Sequence, residues 1–223
     1  MKVAHHEPKH PKQDFQVERI AFFSDAVYAI AITLLVIEFK APEVTRSTSE
    51  SELWHELLGM KYKFASVLLS FSLIVNYWIR HHGLFKHVHD YNRKIVMANM
   101  LSLLPIIFFP FTTSFLYESL GVNEAAAALP YQLFVLNNIF AGISLYYFYW
   151  LVMKIYPSCS YPMEEAGKND FERKLLVLTG SMLLVFLISF ISMKHSIWGL
   201  LPAAFLNLRN RFATKTKKQQ HAK

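Results

Sequence analysis

The chain has 223 residues, 53% of them hydrophobic, and its mean hydropathy of +0.24 is high for a soluble domain. Its formal net charge of +7 clusters at the two termini, which reads as membrane topology rather than nucleic-acid affinity. A single cysteine, Cys159, excludes an intramolecular disulfide framework.

Residues 1–17 form a polar tail with Pro8, Pro11 and a cluster of His5, His6 and His10. No further ligand is spaced to close a metal site around these histidines. The tail has no apolar signal core, so no cleaved signal peptide is expected.

The first apolar stretch, over 18–39, opens with Arg19-x-x-x-Phe23-Ser24-Asp25 and then runs apolar to Glu38. About 20 residues suffice for a helix to cross a bilayer. Charges beside hydrocarbon face protein or water and mark a functional site by default. At about 100° per residue, Phe23, Ala26, Thr33, Leu34 and Ile37 fall within roughly 60° of Ile30. Small residues, Ala21, Ser24, Ala29 and Ala31, occupy the other faces and permit close helix packing.

Pro42 follows, where a helix would already have stopped. A polar loop over 41–58 includes a short amphipathic helix at 50–58. The second span, 61–86, is apolar from Phe64 to Val75 and turns polar at Asn76, Trp78, Arg80, His81 and His82. The third, 95–117, contains Pro105 and Pro110, which membrane helices tolerate where neighbours satisfy the freed carbonyls. A loop over 118–130 holds Glu118 and Glu124. The fourth span, 130–153, ends in Tyr146, Tyr147, Phe148, Tyr149 and Trp150, rings that favour the membrane interface. A charged loop over 154–174 leads to a fifth span at 174–193, a break at Lys194-His195, and a shorter sixth span at 196–208. Residues 209–223 are a basic tail.

Lys and Arg concentrate in the N-terminal tail, the 80–94 loop, the 154–174 loop and the C-terminal tail, and are sparser in the alternate loops. The positive-inside rule then predicts an all-α polytopic protein with six spans over 18–208 and both termini in the cytoplasm. Arg19, Asp25, Trp78, His81 and His82 fall at the same cytoplasmic end, where Asp25 and the histidines can meet.

The run Arg19-x-x-x-Phe23-Ser24-Asp25-Ala-Val-Tyr28-Ala-Ile30-Ala-Ile-Thr33-Leu34-Leu-Val resembles the transmembrane protein 175 family of potassium channels. Trp78-x-x-His81-His82 and the region from Leu103-Leu104-Pro105 to Phe109-Pro110-Phe111 are similar to that family too. Tyr28 stands where the family commonly has phenylalanine. The resemblance covers essentially the whole chain and implies the prokaryotic type, one six-span repeat in the bacterial inner membrane. It implies a homotetramer with span one of each subunit lining a central pore, and no Thr-Val-Gly-Tyr-Gly filter, a motif this sequence lacks. The implied constriction is apolar and falls on Ile30, Thr33 or Leu34, and Ile37. The resemblance also implies that Arg19, Phe23, Ser24, Asp25, Trp78, His81 and His82 belong to a structural polar network, not to an ion-coordinating site. No cofactor, resident metal or nucleic-acid partner is implied, only permeant potassium and other monovalent cations and the lipid bilayer.

Isoleucine cannot coordinate an ion. A narrow ring of isoleucines imposes a dehydration barrier and gates by dewetting. Potassium holds its hydration shell less tightly than sodium, so such a barrier favours potassium. The Thr33 hydroxyl either replaces part of that shell or bonds back to the carbonyl of Ala29. Two other classes compete with a channel. A secondary cation transporter would use broken spans and repeats, yet span one carries no Gly or Pro. A membrane enzyme or haem protein built on His81, His82, His87 and His89 would need companions, and no paired carboxylate, Ser–Lys pair or Gly-rich phosphate loop accompanies them.

Overall fold

A computed structural model of the chain describes residues 11–37, 40–42, 44–45, 48–120, 124–192 and 194–205. Among these residues six α-helices carry the fold: α1 (Pro11–Ile37), α2 (Glu50–Gly59), α3 (Lys61–Phe85), α4 (Arg93–Leu120), α5 (Glu124–Trp150) and α6 (Glu165–Ser189). A π turn, Leu151–Ile155, extends α5, and short 3-10 turns lie at Pro157–Cys159 and Ser196–Leu200. Among the described residues the only β pairing is an isolated bridge between Val88 and Ser160.

Among the described residues, four segments are long and apolar enough to cross a membrane: Phe15–Ile37, Lys61–Phe85, Arg93–Leu120 and Ala126–Ile155. A helix of 25 residues is about 37 Å long, against a hydrocarbon core of about 30 Å. Ser196–Phe205 is a shorter apolar helix. α6 is absent from the four because its first ten residues include Glu165, Lys168, Asp170, Glu172, Arg173 and Lys174.

Several boundaries differ from those read in the sequence, because a polar residue in water can be as helical as an apolar one in lipid. α1 begins at Pro11, within the segment read as tail, and proline suits a first helical position because its missing N–H would have no partner there. α6 begins at Glu165, inside the segment read as a loop. The expected 118–130 loop is mostly helix: α4 continues to Leu120 and α5 starts at Glu124, ahead of four alanines, the best helix formers. Pro105 and Pro110 both lie inside an uninterrupted α4. The amphipathic helix expected at 50–58 is α2, closed at its start by a capping box of Ser49 and Glu52. The three N-terminal histidines and the 209–223 tail lie outside the described residues.

α4 is the hub and packs against α1, α3 and α5, while α6 packs against α5 and against residues 196–200. Its buried Ile95, Leu103, Ile106 and Phe109 meet Tyr28 and Leu35 of α1, Ile74 and Tyr77 of α3 and Phe134 of α5 in one core. Inside lipid there is little hydrophobic drive between helices, so contact quality and hydrogen bonds hold them. Asn137 Nδ2 donates to the carbonyl of Pro105 at 3.0 Å, Tyr77 Oη donates to the carbonyl of Asn138 at 3.0 Å, and Ser70 and Thr113 share a 2.7 Å hydrogen bond. Among the described glycines two set the closest approaches: a Cβ at Gly142 would lie 2.0 Å from Thr179 Oγ1 of α6, and one at Gly199 would lie 2.5 Å from the Val185 backbone nitrogen.

Where α5 ends, Glu172 of α6 takes a 2.9 Å ion pair from Lys154 and a 3.0 Å hydrogen bond from Tyr149 Oη. Residues five apart lie about 140° apart on an α-helix. The wider π turn closes i to i+5 and swings Lys154 back over Tyr149, so that both reach one carboxylate.

Candidate functional site: two polar layers and an exposed apolar stripe on the first helix

The motif residues of α1 distribute by their angle around the helix. Ser24 points into the protein and is fully buried. Its hydroxyl donates to the Ile20 carbonyl at 2.9 Å and accepts from Asn99 Nδ2 of α4 at 3.0 Å. Asn99 Oδ1 lies 2.7 Å from His81 Nε2 of α3. An amide oxygen only accepts, so His81 carries its proton on Nε2. His81 is 1% exposed, with Tyr28, Phe85 and Phe148 around its ring at centroid distances of 5.0–5.6 Å. Ser24, Asn99 and His81 thus form a dry layer that ties α1, α3 and α4 together.

Asp25, about 100° further round, forms a second layer. Trp78 Nε1 donates to Asp25 Oδ1 at 2.8 Å, and His82 Nδ1 lies 3.7 Å from Asp25 Oδ2. The Trp78 and His82 rings lie 5.4 Å apart at 30°. The Asp25 side chain is 33% exposed, so this layer is wet on one side.

The expectation of a single network is therefore corrected in three ways. His81 and His82 serve different layers, because adjacent helix positions diverge by about 100°. Arg19 joins neither: it is exposed, makes no ion pair among the described residues, and lines a hollow of about 490 Å³ with Gln16, Ile20, Phe23, Tyr91 and Met100. Six residues and nearly two turns separate Arg19 from Asp25, too far round for a direct pair. Phe23 is exposed and belongs to the apolar stripe. Asn99, the centre of the dry layer, was not identified from the sequence. An amide inside an otherwise apolar span is the signal that could have found it.

Phe23, Ile30, Leu34 and Ile37 are all exposed, Ile30 by 58% and Ile37 by 71%, and Ala26 and Thr33 lie on the same side. The opposite side of the helix, Val17, Ser24, Tyr28, Ala31 and Leu35, is buried. Ile32 packs partly against the core and does not share the stripe. Thr33 Oγ1 donates to the carbonyl of Ile30 at 2.8 Å, so the backbone acceptor is three residues back rather than at Ala29. The hydroxyl proton is thereby engaged while the oxygen lone pairs remain free. Among the described residues no three His, Cys, Asp or Glu side chains cluster as a metal site requires.

Residues 19–110 match the family described as endosomal/lysosomal potassium channel TMEM175. The chain is 33% identical over 131 residues to a potassium channel of Streptomyces collinus, covering 58% of this chain and 62% of that protein. It is 35% identical over 135 residues to a potassium channel of Chamaesiphon minutus, covering 60% and 62%. These alignments thus span less than two thirds of either relative. Among solved structures, a lysosomal potassium-selective channel TMEM175 homolog from Chamaesiphon minutus superposes with a TM-score of 0.69 at 27% identity, covering 87% of this chain and 97% of that one. The matched stretch contains the whole of both polar layers and the whole apolar stripe, and it is over this stretch that the chain is similar to the TMEM175 family.

Proposed function

We propose that the chain is a potassium-permeable cation channel of the bacterial inner membrane. In this reading it has six membrane spans and cytoplasmic termini, and four copies surround a central path lined by α1. The observation that carries this reading is the exposed apolar stripe on a helix whose opposite side is fully occupied by its own chain. A second support is that the relatives it matches are named potassium channels.

The mechanism follows from the side chains. Ile30 at the middle of the stripe and Ile37 two turns on offer no oxygen to an ion. Four copies of each around an axis make apolar rings that a cation crosses only by shedding water, which favours potassium over sodium and lets the path close by drying. Thr33 lies between them. Its proton is held by the Ile30 carbonyl, which turns its lone pairs outward, the orientation a partly dehydrated cation needs. Back-bonding and cation contact are compatible for this hydroxyl, because one uses the proton and the other the oxygen. The two polar layers sit one to two turns before Ile30 and fix the rotation of α1, so that the stripe faces the axis.

The test is a planar-bilayer recording of purified protein with potassium and sodium on opposite sides and a proton gradient as a third condition. Ile30→Asn is expected to raise conductance and move the reversal potential toward equal permeability, because four amides keep the ring wet. Ile32→Asn, which points into the helix packing, is expected to impair assembly instead. If Ile32→Asn shifted reversal potential while Ile30→Asn left current and selectivity unchanged, the assignment of the path would be wrong. Accumulation of the ion above equilibrium would replace the channel by a coupled transporter.

A further inference from the structure

The cytoplasmic end of α4 carries a second feature that conduction does not use. Lys94, Met97 and Leu101 are spaced i, i+3, i+7 and share a face, with Arg93 beside them in the first turn. This face opens into a hollow of about 360 Å³ lined by Arg93, Lys94, Met97, Ala98, Leu101 and, from α5, Tyr147. The two cations stand at one end. Met97 and Leu101 continue inward, Leu101 about 12 Å along the helix from Arg93. Tyr147 stacks on Trp150 at 6.1 Å and 27°, an aromatic pair of the kind found at headgroup depth.

The charges are the notable part. Lys154, Arg173 and Lys174 on the neighbouring segments each hold a carboxylate at 3.0 Å or less. Arg93 and Lys94 are exposed, take part in no ion pair among the described residues, and share their hollow with no acidic side chain. The first turn of α4 is already capped, since Asn92 Oδ1 accepts from the Ile95 N–H at 3.0 Å. The attraction for an anion therefore comes from the side chains. Two unpaired cations above an apolar slot, at the end of a membrane-length helix, match one class of molecule: an anion with a hydrocarbon tail.

We propose that this hollow binds an anionic phospholipid, with its phosphate on Arg93 and Lys94 and one acyl chain along Met97 and Leu101 against Tyr147. The site is separate from the ion path, because it lies between α4 and α5, whereas the stripe is on α1. It rests on the bilayer placement proposed above and not on conduction. Basic pockets between spans on the cytoplasmic side are a recurrent form of headgroup recognition. A soluble phosphate shares the headgroup chemistry but gains nothing from the apolar slot.

Native mass spectrometry of the delipidated protein tests this with palmitoyl-oleoyl phosphatidylglycerol, palmitoyl-oleoyl phosphatidylcholine and glycerol 3-phosphate. Phosphatidylglycerol is expected to be preferred over phosphatidylcholine by about 30-fold, the factor two basic side chains supply against an anionic headgroup. Arg93→Gln with Lys94→Gln is expected to abolish the preference, and Met97→Trp, which fills the slot and leaves both charges, to weaken phosphatidylglycerol retention as well. Glycerol 3-phosphate is expected to displace no lipid. If the double variant does not fold, the single charge variants and Met97→Trp carry the same comparison. Equal binding of the two lipids, a preference that survives loss of the charges, displacement by glycerol 3-phosphate, or cross-linking of two copies through Met97→Cys would each overturn the proposal. Co-flotation with vesicles of phosphatidylcholine alone checks the bilayer placement independently.

Discussion

On α1, the side that faces the protein combines the hydroxyl of Ser24 and the small Ala31 with the bulky Val17, Tyr28 and Leu35, while the side that faces outward is apolar as well, with Phe23, Ile30, Leu34 and Ile37. A helix on the surface of a soluble protein would carry polar and charged residues on its outward side. Inside a bilayer an apolar outward side makes sense, and directional hydrogen bonds on the inward side replace the missing hydrophobic drive. The inward side holds the information needed to fold one copy. The outward side holds the positions to which the proposed function assigns contact with neighbouring copies and with ions.

Breaking the inward side gives the largest expected loss. Asn99→Leu removes the acceptor from His81 and the donor from Ser24, both fully buried. An orphaned buried polar group costs about 1–3 kcal/mol, so thermal unfolding in detergent should show a loss of about 2–6 kcal/mol. A variant as stable as the parent would mean that the dry layer does not hold α1. Next comes a paired comparison of apolar truncations. Leu35→Ala should cost about 2–5 kcal/mol. Ile37→Ala, on the outward side, should leave protomer unfolding within about 0.5 kcal/mol. Equal losses would erase the distinction between the two sides.

A smaller effect is expected at the wet layer. Asp25→Asn keeps an acceptor for the Trp78 indole and loses only charge beside His82, on a side chain one third exposed. A half-exposed ion pair contributes at most about 1 kcal/mol, so the variant should fold and assemble. Its collapse would move the weight of the argument from Asn99 to Asp25.

The smallest effect is a control away from α1. The hydrogen bond from Lys154, aided by Tyr149, holds the Glu172 carboxyl below the usual carboxylate range. A depressed carboxylate stabilises the folded state above its unfolded value near 4.5, and that contribution fades as pH falls through the lower folded value. Glu172→Gln should therefore flatten the acid limb of stability below about pH 4.5 and leave the proposed conduction path untouched. An unchanged acid limb would count against the ion pair.

Much of this was readable before any coordinates. That Phe23, Ile30, Leu34 and Ile37 share one side of α1 followed from a period of 3.6, because sharing a side is a question of angle; that this side is the exposed one did not. The positions of Trp78, His81 and His82 at the depth of Asp25 followed from counting spans. What escaped was pairing. Periodicity places His81 and His82 on one helix end but says nothing about which one turns inward, and that depends on the crossing with α4. Asn99 escaped because it sits between apolar residues and is informative only once its neighbours are known. The acceptor of Thr33 escaped by one residue, since hydroxyls reach i−3 and i−4 carbonyls about equally well. Helix ends escaped because α1 and α6 continue past the apolar segments that announced them.

The dry layer has a mechanical consequence. Its directional bonds clamp α1 at Ser24, near one end of the apolar segment, while the contacts further along, at Ala31 and Leu35, are apolar and tolerate small sliding. A rod clamped near one end is a lever. Ile30 is about 9 Å from the clamp and Ile37 about 20 Å. A tilt of about 10° then moves Ile30 by about 1.6 Å and Ile37 by about 3.4 Å. In the four-copy arrangement proposed above, such levers pivoting together would open the far ring roughly twice as much as the near one, giving a funnel and not a cylinder. Spin labels at positions 20 and 37 measure this directly. Between closed and conducting conditions the spread of distances at 37 should change severalfold more than at 20, and equal changes at both would mean that α1 moves as a free body with no clamp at Ser24.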